Sequence, residues 1–194
     1  MTPKQELQLK KLGPFSIAQA KKIGISHQEL SRLVKKERIN RLERGIYIHS
    51  DGNFPREIDF QIACKKFGPQ SAVGGLTALF YYNLADQVPG QMWMIVPPEK
   101  RASSKLYRLI RTKTPLDKGV IAESGYRIVS IERAIVEAFK LASKIGERNA
   151  IKAARIAIKN KQTTLRKIGM MAKELGLESY LTKHFEAIVG ATEE

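Results

Sequence analysis

A three-residue turn between two helix-start patterns is the feature that most restricts how this chain can fold. The turn is Gly24-Ile25-Ser26. Ser16 and Ser26 are each followed three residues later by Gln or Glu, which is the spacing of a helix capping box. A further start lies upstream, where Thr2 stands three residues before Gln5. Three short helices with a tight turn between the second and the third predict a helix-turn-helix.

The pattern changes from helical to alternating directly after the third helix. Segments RINRL and GIYIH, residues 38–42 and 45–49, are typical of two short strands, and the glycine that opens the second can adopt the positive φ of a hairpin turn. A hairpin in this position is the wing of a winged helix. Turn-forming residues 50–55 then predict a domain boundary. We therefore expect a winged helix-turn-helix over residues 1–52 and a second domain over residues 53–194.

The remaining sequence mixes helical and strand periodicity. Helix patterns cover residues 56–68, 71–85, 130–146, 147–161, 163–176 and 177–190. Strand patterns cover residues 91–98, 105–114, 119–123 and 125–130. Gly74 and Gly75 weaken the helix prediction for residues 71–85. The chain is thus predicted to be an α+β protein: an N-terminal winged helix-turn-helix, followed by a mixed α/β domain with a helical C-terminal tail.

The net charge points to a polyanionic partner. The 194 residues include 34 Lys and Arg against 19 Asp and Glu, which gives a net charge of +15 and a pI near 10.0. The partner could be nucleic acid, an anionic membrane surface or an acidic protein, and a merely solvated surface is the alternative. The first 50 residues hold 11 Lys and Arg against 4 acidic residues, so the predicted winged helix is itself basic.

The predicted third helix has one apolar and one polar side. At about 100° per residue, Leu30, Leu33 and Val34 fall together, with Ile25 beside them. We predict DNA contacts from the polar side and the wing, through Gln28, Ser31, Arg32, Lys35, Lys36, Arg38, Arg41 and Arg44. The first four would face base edges, since Arg and Gln pair bidentately with guanine and adenine, and the last four would face phosphates. A winged helix that contacts another protein is the alternative.

A second concentration of positive charge lies in the predicted tail. Residues 140–167 hold nine Lys and Arg and one acidic residue. A second basic surface is predicted there, formed by Lys144, Arg148, Lys152, Arg155 and Lys159, beside an apolar face of Ile151, Ala154 and Ile158. Like charges at i, i+4 oppose helix formation, so the row should need a partner or nearby acidic groups. It is either a second polyanion contact, with flanking DNA or an RNA, or a solvated helix face.

No catalytic residue, metal site or cofactor is predicted. The three histidines stand apart, a single cysteine gives no zinc-ligand spacing, and GPQSAVGG lacks the Lys-Ser/Thr of a phosphate-binding loop. The four aspartates are scattered, whereas a nuclease needs carboxylates on adjacent strands for its metal ions. A nucleic-acid-processing nuclease is therefore kept only as an alternative function. Without a leader peptide or an apolar run of about 18 residues, the protein is expected to be cytoplasmic.

The chain resembles the AbiEi-type antitoxins of bacterial abortive-infection systems, a type IV toxin–antitoxin class. The motifs that carry the resemblance are Gly24-Ile25-Ser26, Leu30 with Leu33-Val34, and Arg44-Gly45-x-Tyr47. Further along, AVGGLTALFYYNLADQVP, MWMIVPP and IVSIERAIVEAF are similar to later segments of the family. The resemblance covers most of residues 15–140.

The resemblance implies a specific function. Members of the family repress their own two-gene operon by binding inverted repeats in double-stranded DNA, and they counteract a nucleotidyltransferase toxin encoded beside them. The second domain would supply the antitoxin activity, without a stable complex with the toxin. A DNA-binding module with no toxin partner is the remaining alternative.

Overall fold

A computed structural model of the protein describes residues 1–52, 54, 56–102 and 104–190. These residues form two compact units. The first contains the described residues up to Pro69 together with Ser124–Tyr126, and the second runs from Gln70 to Glu123 and resumes at Arg127. Helices and strands occur in both units, and the chain continues from residue 131 onward through helices, so the predicted α+β class is confirmed.

The first unit contains four helices and a small sheet. Its elements are α1 (Pro3–Leu12), β1 (Phe15–Ser16), α2 (Ile17–Lys22), α3 (His27–Lys35), β2 (Ile39–Glu43), β3 (Ile46–His49) and α4 (Ile58–Phe67). The starts of α1 and α2 follow from the predicted capping boxes. The Thr2 hydroxyl accepts from the backbone N–H of Gln5, and the Gln5 side chain accepts in return from Thr2. Ser16 and Gln19 repeat this exchange at α2.

Only half of the third predicted capping box is present. The Ser26 hydroxyl accepts from the Glu29 N–H at 3.1 Å and begins α3 as expected. The Glu29 carboxylate does not bond back to Ser26, because it lies 2.7 Å from the amino group of Met1. The preceding turn depends on Gly24, whose φ of +80° is costly for other residues.

The predicted wing is present and belongs to a three-stranded antiparallel sheet in the order β1-β3-β2. Gly45 forms the turn between β2 and β3 with φ +82°. The sequence pattern does not reveal β1, since two residues have no alternation and only the pairing of Phe15 with Tyr47 and of Ser16 with Ile46 defines the strand. The core that joins helices and wing consists of Leu9, Phe15, Ala20, Ile25, Leu30, Leu33, Ile39 and Tyr47. Val34 is only partly buried.

The first compact unit extends past the boundary predicted at residue 52 and includes α4. Lys66 on this helix forms an ion pair with Glu43 at the end of β2. The Gln61 side chain donates to the Ser124 carbonyl at 2.8 Å, so residues 124–126 also belong to this unit. The predicted boundary marks the end of the wing, and the assignment of function to either side of it stays a prediction. The turn predicted at residues 50–55 lies partly outside the described residues.

The remaining elements include a five-stranded mixed sheet and six further helices after it. They are β4 (Ala72–Val73), α5 (Gly75–Tyr81), β5 (Met92–Val96), β6 (Tyr107–Arg111), β7 (Val120–Glu123), β8 (Tyr126–Val129), α6 (Ile131–Lys140), α7 (Ala142–Ile145), α8 (Glu147–Lys159), α9 (Leu165–Leu175), α10 (Glu178–Thr182) and α11 (Phe185–Val189). The strand order is β6-β5-β4-β8-β7. Strand β4 runs antiparallel to β5 and parallel to β8, and β5 runs parallel to β6. The four predicted strands in this region are confirmed.

The helix predicted over residues 71–85 is wrong at its start. The first residues form strand β4, and the helix begins only at Gly75. Gly74 is fully extended with φ −155°, and Gly75 has φ +52°, so the backbone changes direction between them. A Cβ on Gly74 would lie 2.4 Å from Cγ1 of Ile95 on β5. The two glycines therefore allow the backbone of this turn to lie directly against β5.

Helix α6 is the most buried helix of the second unit. Its residues Arg133–Phe139 are all buried, and it packs against α5, α8, α9 and α10. The helix predicted over residues 130–146 is interrupted at Leu141, where φ −99° and ψ 20° lie outside the helical range and separate α6 from α7. A similar departure at His184 divides the last predicted helix into α10 and α11.

Candidate nucleic-acid interface

Helix α3 presents a polar face on the side opposite its core contacts. Gln28, Ser31, Arg32 and Lys35 are all exposed, whereas Leu30 and Leu33 are buried. The Ser31 hydroxyl donates to a backbone carbonyl of its own helix at 3.1 Å. The three longer side chains have no hydrogen bond or ion pair to any other residue that the structure describes. They are therefore available to contact base edges in a groove.

Further positively charged side chains lie at the C-terminal end of α3 and on the wing. Lys36 caps the C-terminal end of α3, Arg41 lies on β2, and Arg44 lies in the turn before β3; all three are exposed. Arg41 makes one weak bond, from Nε to the Glu43 carbonyl at 3.4 Å, which leaves its other donors unused. Exposed cations at the end of a reading helix and on a wing are placed as phosphate contacts require.

Arg38 differs from the other predicted contacts because its side chain already forms an ion pair with an acidic residue. Its guanidinium pairs with the carboxylate of Glu6 on α1 at 2.5 Å. The Nζ of Lys10 and the Nε2 of the buried His49 lie 3.7 Å and 3.5 Å from the same carboxylate oxygen. The hydrogen bond from Arg38 is the main cause that holds the pKa of Glu6 below its ordinary value. Arg38 lies just before β2 and connects the start of the wing to α1, and a phosphate would have to compete with Glu6 for its guanidinium.

The connection between α3 and the wing is fixed by local bonds. Glu37 adopts φ +55°, an uncommon value for a residue with a side chain. The Ser50 hydroxyl donates to the Glu37 carbonyl, and the Ser50 N–H donates to the Arg38 carbonyl at 3.0 Å. These contacts restrain the angle between the exposed face of α3 and the wing.

The second predicted basic surface lies on α7 and α8, but two of its five residues already bind other residues of the second unit. Lys152 forms an ion pair with Asp86. Arg155 donates from Nε and Nη2 to the Ala187 carbonyl in α11. An acidic residue thus neutralises Lys152, which is one of the two outcomes expected for such a row, and a backbone carbonyl binds Arg155. Lys144, Arg148 and Lys159 are exposed and have no partner among the described residues.

The buried side of α8 also differs from the prediction. Ile151 and Ile158 are only partly buried, and Ala154 alone of the three predicted residues is fully buried. The face that packs is made of alanines: Ala150, Ala153, Ala154 and Ala157. Alanine side chains let α8 approach α6 closely, so the packing of the helix does not depend on its larger apolar residues.

The segment that contains the first of these two surfaces is similar to a known family. Residues 5–48 match the family model described as "Transcriptional regulator, AbiEi antitoxin". This segment is similar to AbiEi-type regulators, and the name AbiEi-type domain denotes it by that similarity. The match runs from within α1 to within β3, so it covers the helix-turn-helix and the wing.

A likeness to a solved structure extends over the whole chain. The crystal structure of the RV2827C protein from Mycobacterium tuberculosis has a TM-score of 0.63 and 10% sequence identity, and the match covers 100% of this chain and 79% of that chain. At this identity the likeness shows the fold alone. A comparison with curated proteins gives no match.

All eight predicted contact residues lie on the exposed surface of the AbiEi-type domain. Sequence patterns do not reveal Glu6, the acidic partner of Arg38, because 32 residues separate the two and no local pattern connects them. The same is true of Lys66, which pairs with Glu43 beside the wing. Both pairs restrain the wing of the AbiEi-type domain.

Neither a metal centre nor a membrane-spanning helix is found among the residues that the structure describes. In the part of the chain that the structure describes, no group of three or more His, Cys, Asp and Glu could hold a metal ion. Among the same residues, none of the helices has the length and apolar character needed to cross a membrane.

Proposed function

We propose that this protein is a sequence-specific transcriptional repressor of its own operon and an antitoxin that counteracts a nucleotidyltransferase toxin. The observation that carries the first part is the exposed face of α3, whose three longer side chains bind no described residue, on a segment similar to AbiEi-type regulators. The family description supports regulation and antitoxin activity in general terms. Binding to inverted repeats, the class of toxin and the absence of a stable toxin complex follow from the motif resemblance. The proposed role is cytoplasmic and not enzymatic.

The roles within the DNA interface follow from which side chains are free. Gln28, Arg32 and Lys35 would contact base edges, because a major groove admits a helix with long polar side chains. Ser31 is short and bonds to its own helix, so its contribution is a close approach to the groove wall. The cations at the end of α3 and on the wing would contact phosphates, with Arg38 weaker than the others because Glu6 competes for it.

The full-length protein should bind duplex DNA from upstream of its own gene with strong salt dependence. Three free phosphate contacts per winged helix predict a slope of about −3 in a plot of log K against log salt, or roughly 50-fold weaker binding between 50 and 200 mM. Fluorescence anisotropy at several salt concentrations would measure the slope. Affinity that hardly changes with salt would show that phosphates are not contacted and that the proposed mode is wrong.

Arg32→Ala should weaken binding to the operator by about 1–3 kcal/mol and reduce the preference among base-pair variants, because Arg32 is assigned a bidentate base contact. Arg44→Ala should weaken all sequences alike and reduce the salt slope by about 1. Lys4→Ala, which removes an exposed charge of α1 outside the interface, is the matched control. An unchanged base preference in Arg32→Ala would remove Arg32 from the set of base contacts.

The antitoxin role is assigned to the second unit, and its free cations are the candidate determinant. Lys144, Arg148 and Lys159 are not neutralised by any described residue, unlike Lys152 and Arg155. A polyanion, such as an RNA that the toxin modifies, is the partner that fits this charge.

Replacing both Arg148 and Lys159 with glutamine should reduce rescue of cells that express the toxin while operator preference is retained. Glutamine keeps helix propensity, and each exposed substitution should change stability by no more than about 0.5 kcal/mol. A growth-rescue assay and a DNA-binding measurement on the same variant would test this. Arg155 is left unchanged, because its bonds to Ala187 would confuse loss of charge with loss of structure.

The matched control for this variant is Lys173→Gln with Lys183→Gln. Both lysines are exposed, belong to the second unit and have no described partner, so the net charge changes equally. Full rescue by the Arg148 and Lys159 variant would identify the α8 row as a solvated helix face. Equal losses in both variants would assign the effect to total charge and not to this surface.

A further inference from the structure

The second unit contains a cavity that DNA binding does not explain. It has a volume of 250 Å³ and lies between strand β6 and helices α6 and α7. Its lining residues are Leu109, Ile110, Arg111, Thr112, Glu137, Lys140, Leu141 and Lys144. One wall is apolar, while the remaining residues are a hydroxyl, three cations and one acid. This mixture is typical of a ligand pocket.

The acid, Glu137, is deeply buried and only half satisfied. Glu137 lines the cavity, and only 3% of the residue is exposed to solvent. Its Oε1 accepts from Nε of Arg133 at 3.0 Å, while its Oε2 has no hydrogen-bond partner among the described residues. Burial raises the pKa of Glu137, against the opposing effect of Arg133. If Glu137 is ionised, Oε2 is an acceptor without a donor. If Glu137 is protonated, the acid hydroxyl is a donor without an acceptor, so in either form one polar atom remains unsatisfied.

Two of the three cations that line the cavity have unused hydrogen-bond donors. Lys140 donates to the hydroxyls of Thr112 and Thr114 at 3.4 and 3.1 Å, which leaves the third of its three N–H groups. Lys144 is exposed and has no described partner. Arg111 donates to the carbonyls of Lys100 and Ala102, so its guanidinium already has partners. Two cations with unused donors, Lys140 and Lys144, against one buried acid favour an anionic ligand.

The geometry points to a binding site for a single nucleotide in this cavity, with the phosphate held by Lys140 and Lys144 and an amino group of the base bonded to Glu137. Carboxylates accept from base amino groups elsewhere in nucleic-acid recognition. Ile110 and Leu141 provide apolar contact for a base. Drug-sized ligands occupy pockets of roughly 300–1,000 Å³, so a cavity slightly below that range limits the ligand to about one nucleotide.

This inference goes beyond the proposed regulator and antitoxin function and does not depend on it. Titration calorimetry of the full-length protein with AMP, CMP, GMP and UMP, with cytidine and inorganic phosphate as partial ligands, tests it directly. We expect the three amino-bearing nucleotides to bind. UMP, cytidine and inorganic phosphate should each bind at least about 10-fold more weakly, since each lacks one of the proposed contacts. Absence of binding by every nucleotide would overturn the inference and indicate that water satisfies Glu137.

Variants separate the two halves of the site. Lys144→Ala should lower nucleotide affinity about 10-fold, because a charged contact to phosphate is lost, whereas Lys173→Ala removes an exposed lysine that does not line the cavity and should change nothing. Glu137→Gln should reduce the difference between CMP and UMP. If Glu137→Gln does not fold, the nucleotide affinities of Lys144→Ala and Lys140→Ala test the proposal. Nucleotide affinity unchanged in Lys144→Ala would overturn the assignment, and operator affinity of the same variant should equal that of the parent.

Discussion

Replacing Arg133 with methionine should lower the free energy of unfolding of the second unit by about 3–5 kcal/mol. The guanidinium is completely buried, bonds Glu137, and donates to the carbonyls of Pro115 and Lys118. Methionine matches its length but leaves a buried carboxyl group and two carbonyls without a donor. Urea denaturation followed by circular dichroism would measure the loss.

The loss of unfolding free energy in Arg133→Met should grow as the pH rises. Burial is the largest cause that raises the pKa of Glu137, and Arg133 opposes it, so removal of Arg133 raises that pKa further. The folded variant then retains a proton that the unfolded chain loses. Stability therefore falls from the ordinary carboxyl range upward, until the pH passes the folded-state pKa.

The double variant Arg133→Met with Glu137→Leu provides the control. With both charged groups replaced by apolar side chains, most of the stability should return and the pH dependence of the single variant should disappear. A double variant no more stable than Arg133→Met would contradict the argument that an unpaired buried carboxyl group causes the loss.

Gly75→Ala should be the second most damaging of the changes considered, with a loss of about 2–4 kcal/mol. Gly75 has φ +52°, which costs about 1 kcal/mol for a residue with a Cβ. The added Cβ would also lie 2.5 Å from Cε3 of the buried Trp93 ring, and overpacking of this kind costs about 1–3 kcal/mol. Trp93 is the single tryptophan, so its fluorescence reports on this site while urea denaturation gives the stability.

Gly169→Ala is the matched control for that change. Gly169 lies inside α9, and a Cβ there would meet no atom within 4 Å. The same chemical change should therefore stabilise the protein by about 0.5–1 kcal/mol through helix propensity. Equal effects of the two substitutions would show that neither backbone strain nor contact with Trp93 limits position 75.

Local signals explain why the first unit is largely predictable from sequence. Thr2, Ser16 and Ser26 cap helices that begin directly after them, and the turn glycines Gly24 and Gly45 have the positive φ that the patterns require. A cap depends on residues three positions apart, so its information is contained in a short stretch. The exposed face of α3 follows from the same helical periodicity, and its contact with bases remains a prediction.

Long-range pairing explains most of what sequence patterns miss. Strand β1 exists only through its bonds to β3, and the partners of Lys152 and Arg155 lie 66 and 32 residues away. The number of Lys and Arg residues therefore predicts a basic helix, but it does not predict which of their side chains already bind other residues. The buried pair Arg133 and Glu137 did have a local signal, since opposite charges four residues apart occur within an otherwise apolar helix face. Its burial depends on neighbours that no short segment specifies.

The alanine face of α8 has a consequence for how related chains can diverge. Ala150, Ala153, Ala154 and Ala157 are fully buried, so a larger residue at any of them would press α8 away from α6. Arg148 and Lys159 contact no described partner, and changes there leave that packing intact. Selection can therefore alter the electrostatic character of this helix while its backbone stays in place.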